Sequence, residues 1–222
     1  MPKPWDKLIV ALDVTSEDKL KKIVSALSPK VKKFKIGLIA YTRCGPKAIK
    51  AVKRRGAEVF LDFKLYDIPH TMAETAKAFV DLGVWAFTVH LKAGAEALRY
   101  LRKEVKAASL HKKRKAPLII GVTELTSQKV PPAKVLKLAK VAKQAKLDGV
   151  VCSVWEAKKI KERFGLKTIT PGIRAETFAD DQKRVATVKE ALKNKADYFV
   201  VGRPIVNKSD YLKAAQEILA GD

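Results

Sequence analysis

The sequence predicts an α/β chain closed into a (β/α)8 TIM barrel. Short apolar runs alternate with longer amphipathic ones eight times, as βα units on a parallel sheet do. The eight units occupy 222 residues without a linker, a compact case beside the roughly 250 residues usual for a barrel. No GxGxxG follows the first apolar run and no GxxxxGKS/T occurs, so the Rossmann and P-loop alternatives lose their best support. One barrel domain over residues 1–222 is expected.

The elements follow in order. Lys7–Val14 reads as the first strand. Thr15 and Ser16 offer a cap to the next helix, with Glu17 and Asp18 in its first turn, where carboxylates meet the positive helix end. Its apolar stripe is Leu20, Ile23, Val24 and Leu27, and Pro29 ends it. Lys33–Gly37 is the second strand, and Pro46–Arg54 the second helix, stopped by Gly56. Val59–Lys64 is the third strand, and Pro69–Leu82 the third helix, stopped by Gly83. The unit then repeats as Trp85–His90 with Gly94–Leu110, Leu118–Thr123 with Pro132–Lys146, and Gly149–Ser153 with Trp155–Phe164. Lys167–Thr170 precedes the one long loop, Gly172–Gln182, and a short helix ending near Asn194. Tyr198–Gly202 and the helix Asp210–Leu219 close the series.

Composition narrows the class. Hydrophobic residues are 47% and charged residues 31%, which is globular and neither disordered nor collagen-like. Cys44 and Cys152 are too few for a disulfide scaffold and form no CxxC, so a reducing, cytoplasmic setting is expected. The short N-terminal apolar run meets Asp13 at once, unlike a signal peptide or membrane anchor. The net charge of +23 suits an anionic partner, whether nucleic acid, surface or small substrate. Lysines at helical spacings along the whole chain read first as a solvated surface.

Charged residues in barrel strands need a reason, because both strand faces are covered. Asp13 ends the first strand, Lys35 lies in the second, Asp62 and Lys64 in the third, His90 ends the fourth, Thr123 ends the fifth, and Arg203 follows the eighth. Most lie near strand C-termini, the face where barrel active sites form. Alternation points Asp62 and Lys64 to one side, and Leu61 and Phe63 toward the helices. A structural ion pair is one reading. A catalytic one is favoured, because buried pairs often do no more for stability than apolar residues. With Lys35, Asp13 and Asp67 they suggest an alternating network in which each ammonium keeps its carboxylates ionised. Such a network suits orienting sugar hydroxyls and protonating a developing carbanion. The loops Thr170–Arg174 and Val201–Pro204 follow the seventh and eighth strands, where barrels commonly hold a phosphate. Arg203 would add a bidentate contact, or else lie on the surface. No metal is expected: His70, His90 and His111 share no ligand spacing, although Asp62 could contribute to a magnesium site.

The segment Asp62-Phe63-Lys64-Leu65-Tyr66-Asp67-Ile68-Pro69-His70-Thr71 resembles the Asp-x-Lys-x-x-Asp-Ile-Pro-x-Thr signature of the orotidine 5'-phosphate decarboxylase family. The resemblance runs along the whole chain. Leu-Asp13-Val, Lys35-Ile-Gly, Leu125-Thr126-Ser127, Thr170-Pro171-Gly172-Ile173-Arg174, Asp181-Gln182-Lys183-Arg184 and Val201-Gly202-Arg203 are similar to family segments in the same order. Two departures stand out: Thr187 is followed by Val188 where bacterial members usually have proline, and Ile36 stands where valine is common.

The resemblance implies decarboxylation of orotidine 5'-phosphate to UMP and carbon dioxide, the last step of de novo pyrimidine biosynthesis, without a cofactor. It assigns Lys64 as the acid that protonates C6, with Asp62 beside the substrate carboxylate. Lys35 and Asp13 would hold the network and the ribose hydroxyls. Asp67, Ile68 and Thr71 would come from a second subunit, so a homodimer with shared sites is implied. Thr126 and Ser127 would meet the pyrimidine. Pro171, Gly172, Gln182, Gly202 and Arg203 would hold the substrate on its phosphate side. Two alternatives remain. A magnesium-dependent sugar-phosphate decarboxylase or aldolase shares the Asp-x-Lys-x-x-Asp core, but Ile68-Pro69-His70-Thr71 favours the nucleotide enzyme. A nucleic-acid-binding barrel has the charge and the run His111-Lys112-Lys113-Arg114-Lys115, but no recognition motif. Neither a specific nucleic acid nor a membrane is an expected partner.

Overall fold

The computed structural model describes residues 4–125, 130–174 and 186–221. In chain order the elements are α1 (Pro4–Lys7), β1 (Leu8–Ala11), α2 (Glu17–Leu27), β2 (Lys33–Gly37), α3 (Leu38–Cys44), α4 (Pro46–Lys53), β3 (Glu58–Leu65), α5 (Pro69–Leu82), β4 (Ala86–His90), α6 (Gly94–His111), β5 (Leu118–Val122), α7 (Pro132–Gln144), β6 (Gly149–Val151), α8 (Val154–Phe164), β7 (Lys167–Thr170), α9 (Val188–Lys193), β8 (Tyr198–Val201), α10 (Arg203–Val206) and α11 (Tyr211–Ala220). Each strand pairs with the next, and β8 returns to β1 through Leu8↔Phe199, Ile9↔Val200 and Val10↔Val201. The predicted closed parallel barrel is therefore the observed one.

Strand parity sorts the core. Ile9, Ala11, Phe60, Ala86, Ile120, Ile169 and Val200 fill the barrel interior. Leu8, Val10, Phe34, Ile36, Leu61, Phe87 and Val89 pack outward against the helices. Side chains two residues apart share a face, so one step beyond the interior layer brings Asp13, Asp62, Thr88, Pro171 and Gly202 to the C-terminal mouth. The opposite end is plugged by Trp85 and Tyr198, whose rings lie 5.1 Å apart, with the Lys33 ammonium 5.3 and 5.4 Å from them.

The differences from the sequence reading have local causes. The first strand starts after a proline-initiated turn, so Lys7 is helical and its ammonium donates to the Ala196 carbonyl. Helix α3 is extra: its exposed Leu38 and Ile39 spoil an apolar stripe, and Ala40 is its one buried residue. Gly45, at φ 55°, separates α3 from α4. Helix α10 is a second addition, with Pro204 in its first turn. Thr187 starts α9 with a capping box to Glu190, so the missing proline is replaced by side-chain hydrogen bonds.

Part of the basic surplus has structural work. Lys32, Lys53 and Arg114 donate to carbonyls at helix C-terminal ends, which attract cations. Lys112 pairs with Asp81. Two members of the run at 111–115 therefore grip the end of α5. No helix among the described residues is long and apolar enough to cross a membrane.

Candidate active site

A cavity of about 480 Å³ opens at the C-terminal mouth. Its floor is apolar, with Ala11, Phe60, Val151, Ile169 and Val200. Its wall carries Asp13, Lys35, Asp62 and Lys64 on one side, and Pro171, Gly172, Arg174, Gly202 and Arg203 on the other. The first group comes from β1–β3 and the second from the ends of β7 and β8.

The four charged groups alternate. Lys35 Nζ donates to Asp13 at 3.0 and 3.2 Å and lies 3.6 Å from Asp62 Oδ2. Lys64 Nζ donates to the same Asp62 oxygen at 2.9 Å. Burial works to raise the Asp62 carboxyl, but the ammonium groups of Lys35 and Lys64 outweigh it, aided by hydrogen bonds from Lys64 and Thr88. Asp62 is held below the usual carboxylate pKa and stays ionised at neutral pH. The quartet is self-compensating, and Arg174 and Arg203 add two guanidinium groups to the far wall of the cavity.

Lys64 reaches this position through an irregular strand. Between the pairs Leu61↔Phe87 and Leu65↔Val89, β3 runs through Asp62, Phe63 and Lys64 while β4 runs through Thr88 alone. Lys64 takes up the surplus with a left-handed φ of 52°, a conformation costing about 1–3 kcal/mol for a residue with a side chain. Phe63 still faces outward against Tyr41 and Phe79, which anchors the bulge.

Two groups near the site, Thr88 and Glu124, have no place in the sequence reading of site residues. Thr88, fully buried, accepts the Lys64 backbone N–H at 2.8 Å and donates to Asp62 Oδ1 at 3.1 Å. A threonine at an inward position of an otherwise apolar strand is the signal for it. Glu124, buried at the end of β5, pairs with Lys134 at 2.8 Å and Lys92 at 3.3 Å. Arg174 is buried in the cavity wall. His90 stacks on Tyr66, and burial followed by the Lys92 and Lys64 cations lowers its pKa, against Glu124.

The structure brings Asp13, Lys35, Asp62, Lys64, Pro171, Gly172, Gly202 and Arg203 to one cavity. Asp67, Ile68 and Thr71 do not line it. Asp67 Oδ1 accepts the Ile68 N–H at 2.7 Å, and Ile68 is 64% exposed. Thr126, Ser127 and Gln182 lie outside the described residues. Among the described residues no three His, Cys, Asp or Glu side chains gather as a metal-ligand group.

The model of the orotidine 5'-phosphate decarboxylase / HUMPS family matches residues 6–218. The orotidine 5'-phosphate decarboxylase of Saccharophagus degradans is 39% identical, over 98% of this chain and 95% of that protein. That of Carboxydothermus hydrogenoformans is 45% identical, over 96% and 95%. Among solved structures, the orotidine 5'-phosphate decarboxylase of Lactobacillus acidophilus superposes with a TM-score of 0.82 at 34% identity, covering 97% of this chain and 98% of that one. The Methanocaldococcus jannaschii orotidine 5'-monophosphate decarboxylase, complexed with the inhibitor BMP, gives 0.76 at 28% identity, covering 97% and 98%.

Proposed function

The chain belongs to the orotidine 5'-phosphate decarboxylase / HUMPS family, and we propose that its alternating Lys–Asp quartet and the opposite arginine wall divide the labour of that family's chemistry between them. The activity is decarboxylation of orotidine 5'-phosphate to UMP and carbon dioxide, which needs no cofactor. The observation that carries the assignment of roles is the Lys64–Asp62–Lys35–Asp13 chain of contacts at the mouth.

The bond from C6 to the carboxyl carbon breaks, and its electron pair stays on C6. That pair is localised, so the chemistry depends on positive charge already beside it. Lys64 supplies this and then transfers a proton to C6. A fixed ammonium in a water-poor cavity stabilises developing charge without reorganising at the moment of reaction. Asp62 accepts from the Lys64 ammonium and stands next to the departing carboxylate, whose loss relieves like-charge repulsion. Lys35 and Asp13 are suited to the ribose hydroxyls, since an ammonium donates and a carboxylate accepts.

The far wall suits the phosphate. Gly172 has φ 81°, which a side chain would resist. Gly202 lies so near β1 that a Cβ would stand 3.3 Å from Ala11 Cβ. Both glycines let backbone approach a ligand closely, and Arg203 adds a charged fork. Phosphate binding in this region supplies remote binding energy to the reacting centre.

A two-fold dimer completes the site. Its support is the set of large apolar side chains exposed on the connections after β2 and β3: Leu38, Ile39, Tyr66 and Ile68. Asp67 and Thr71 belong to the second of these connections and would reach the partner's cavity. Mixing inactive Lys64→Ala and Asp67→Ala proteins under subunit exchange should restore part of the activity; no recovery in mixed dimers would argue against shared sites.

The decisive experiment incubates EDTA-treated protein with orotidine 5'-phosphate and follows conversion to UMP, beside Lys64→Ala. Metal-free conversion abolished by the substitution supports the roles above. Turnover that appears only with magnesium and a sugar phosphate would instead support the sugar-phosphate branch.

A further inference from the structure

We propose that Thr88 is a positioning residue for this reaction: its single hydroxyl holds the Lys64 backbone in its left-handed turn and orients the Asp62 carboxylate, so that both charged groups are set by one atom. The inference rests on the reading of Lys64 as proton donor.

The register of β3 against β4 makes the case. Three residues of β3 face one residue of β4. The surplus residues cannot all join the ladder, and an unpaired buried N–H is costly. Thr88 Oγ1 takes up the Lys64 N–H at 2.8 Å. A hydroxyl has one hydrogen to give, and here it goes to Asp62 Oδ1 at 3.1 Å. The other Asp62 oxygen receives Lys64 Nζ at 2.9 Å. The result is a closed circuit: Lys64 backbone to Thr88, Thr88 to Asp62, Asp62 to the Lys64 side chain. Thr88 is 0% exposed, so solvent is not placed to stand in for its hydroxyl. Valine has nearly the same shape but can neither accept nor donate. It would leave the Lys64 N–H and one Asp62 oxygen without these partners, and remove the contact that pins the left-handed turn.

Thr88→Val and Thr88→Ser, measured beside the wild type, test this. Displacing a reacting group by about 1 Å can cost on the order of a hundredfold. Thr88→Val should therefore lower kcat by roughly ten- to a hundredfold while KM stays within about threefold, because phosphate and ribose contacts lie elsewhere. Thr88→Ser keeps the hydroxyl and should stay within about threefold of wild type in kcat. The acid limb of kcat/KM should move to higher pH in Thr88→Val alone, since Asp62 loses a hydrogen bond that lowers its pKa. UMP binding and a cooperative thermal transition establish that the variants are folded. Wild-type kcat in Thr88→Val, a loss confined to KM, or Thr88→Ser as impaired as Thr88→Val would overturn the inference. If Thr88→Val does not fold, Thr88→Ala makes the same comparison. Failure of both to fold also overturns it, because the hydroxyl would then serve the fold and not the placement of Lys64. An active wild type beside a fully active Thr88→Val refutes the inference alone; a wild type inactive on orotidine 5'-phosphate refutes the underlying reading as well.

Discussion

Gly37→Ala should separate activity from stability. Gly37 ends β2 with extended backbone, φ −98° and ψ −173°, which alanine adopts freely. Its added Cβ would stand 3.0 Å from both Asp13 Oδ1 and Lys35 Nζ, which are themselves 3.0 Å apart. A methyl group relaxes at about 3.5 Å from its neighbours, so each charged end must retreat by about 0.5 Å. Both are tips of side chains and can do so, but in moving they loosen the Lys35 end of the quartet. A 1 Å misplacement can cost on the order of a hundredfold, so about half that displacement should lower kcat/KM by about tenfold. The fold should not suffer. Alanine restricts the unfolded chain and stabilises by roughly 0.4–1 kcal/mol, which raises the melting temperature by about 1–4 °C in a chain of this size. Loss of substrate absorbance gives kcat/KM, and a thermal melt gives the second quantity. A variant within about twofold of wild type in kcat/KM, or melting more than about 5 °C lower, would refute the steric reasoning.

Further outcomes follow from other parts of the molecule. Arg203→Ala should raise KM for orotidine 5'-phosphate by about a hundredfold, the worth of a charge-assisted bidentate contact. Turnover of orotidine, which lacks the phosphate, should be unchanged, so equal losses on both substrates would contradict the assignment. His90 has a folded pKa below its ordinary 6.5, so the unfolded chain binds more protons between the two values. Stability should rise with pH across that window and be lost as pH falls through it. His90→Gln should flatten that slope in melting temperature against pH, and an unchanged slope would rule out His90 as its source. Gly149→Ala would place a Cβ 2.6 Å from the Lys167 carbonyl oxygen on neighbouring β7. This backbone clash should destabilise by about 1–3 kcal/mol, and an undiminished melting temperature would contradict the close β6–β7 approach.

Much of the candidate site is legible in the sequence, because strand parity is local. Once Ile9, Ala11 and Val200 are interior, the residues two positions after Ala11 and Val200, Asp13 and Gly202, belong at the mouth. The same rule brings Asp62 to the mouth beyond Phe60. Helix α5 was equally legible, with proline at its start and Gly83 in the left-handed region at its end. Helix α3 was not, because its apolar residues Leu38 and Ile39 are exposed and follow no buried stripe. Neither was Glu124, whose two lysine partners come from separate segments.

The sequence by itself determined eight βα units, their order, and which strand ends carry charge. These follow from periodicity and from glycine and proline, which act over a few residues. Only the tertiary structure decided that Lys64 stands in a left-handed turn, that Thr88 alone faces Asp62, Phe63 and Lys64, and that Asp62 touches cations from two strands. Each of these is a relation between strands. Register and closure set it, and no run of neighbouring residues records where a strand will meet its partner.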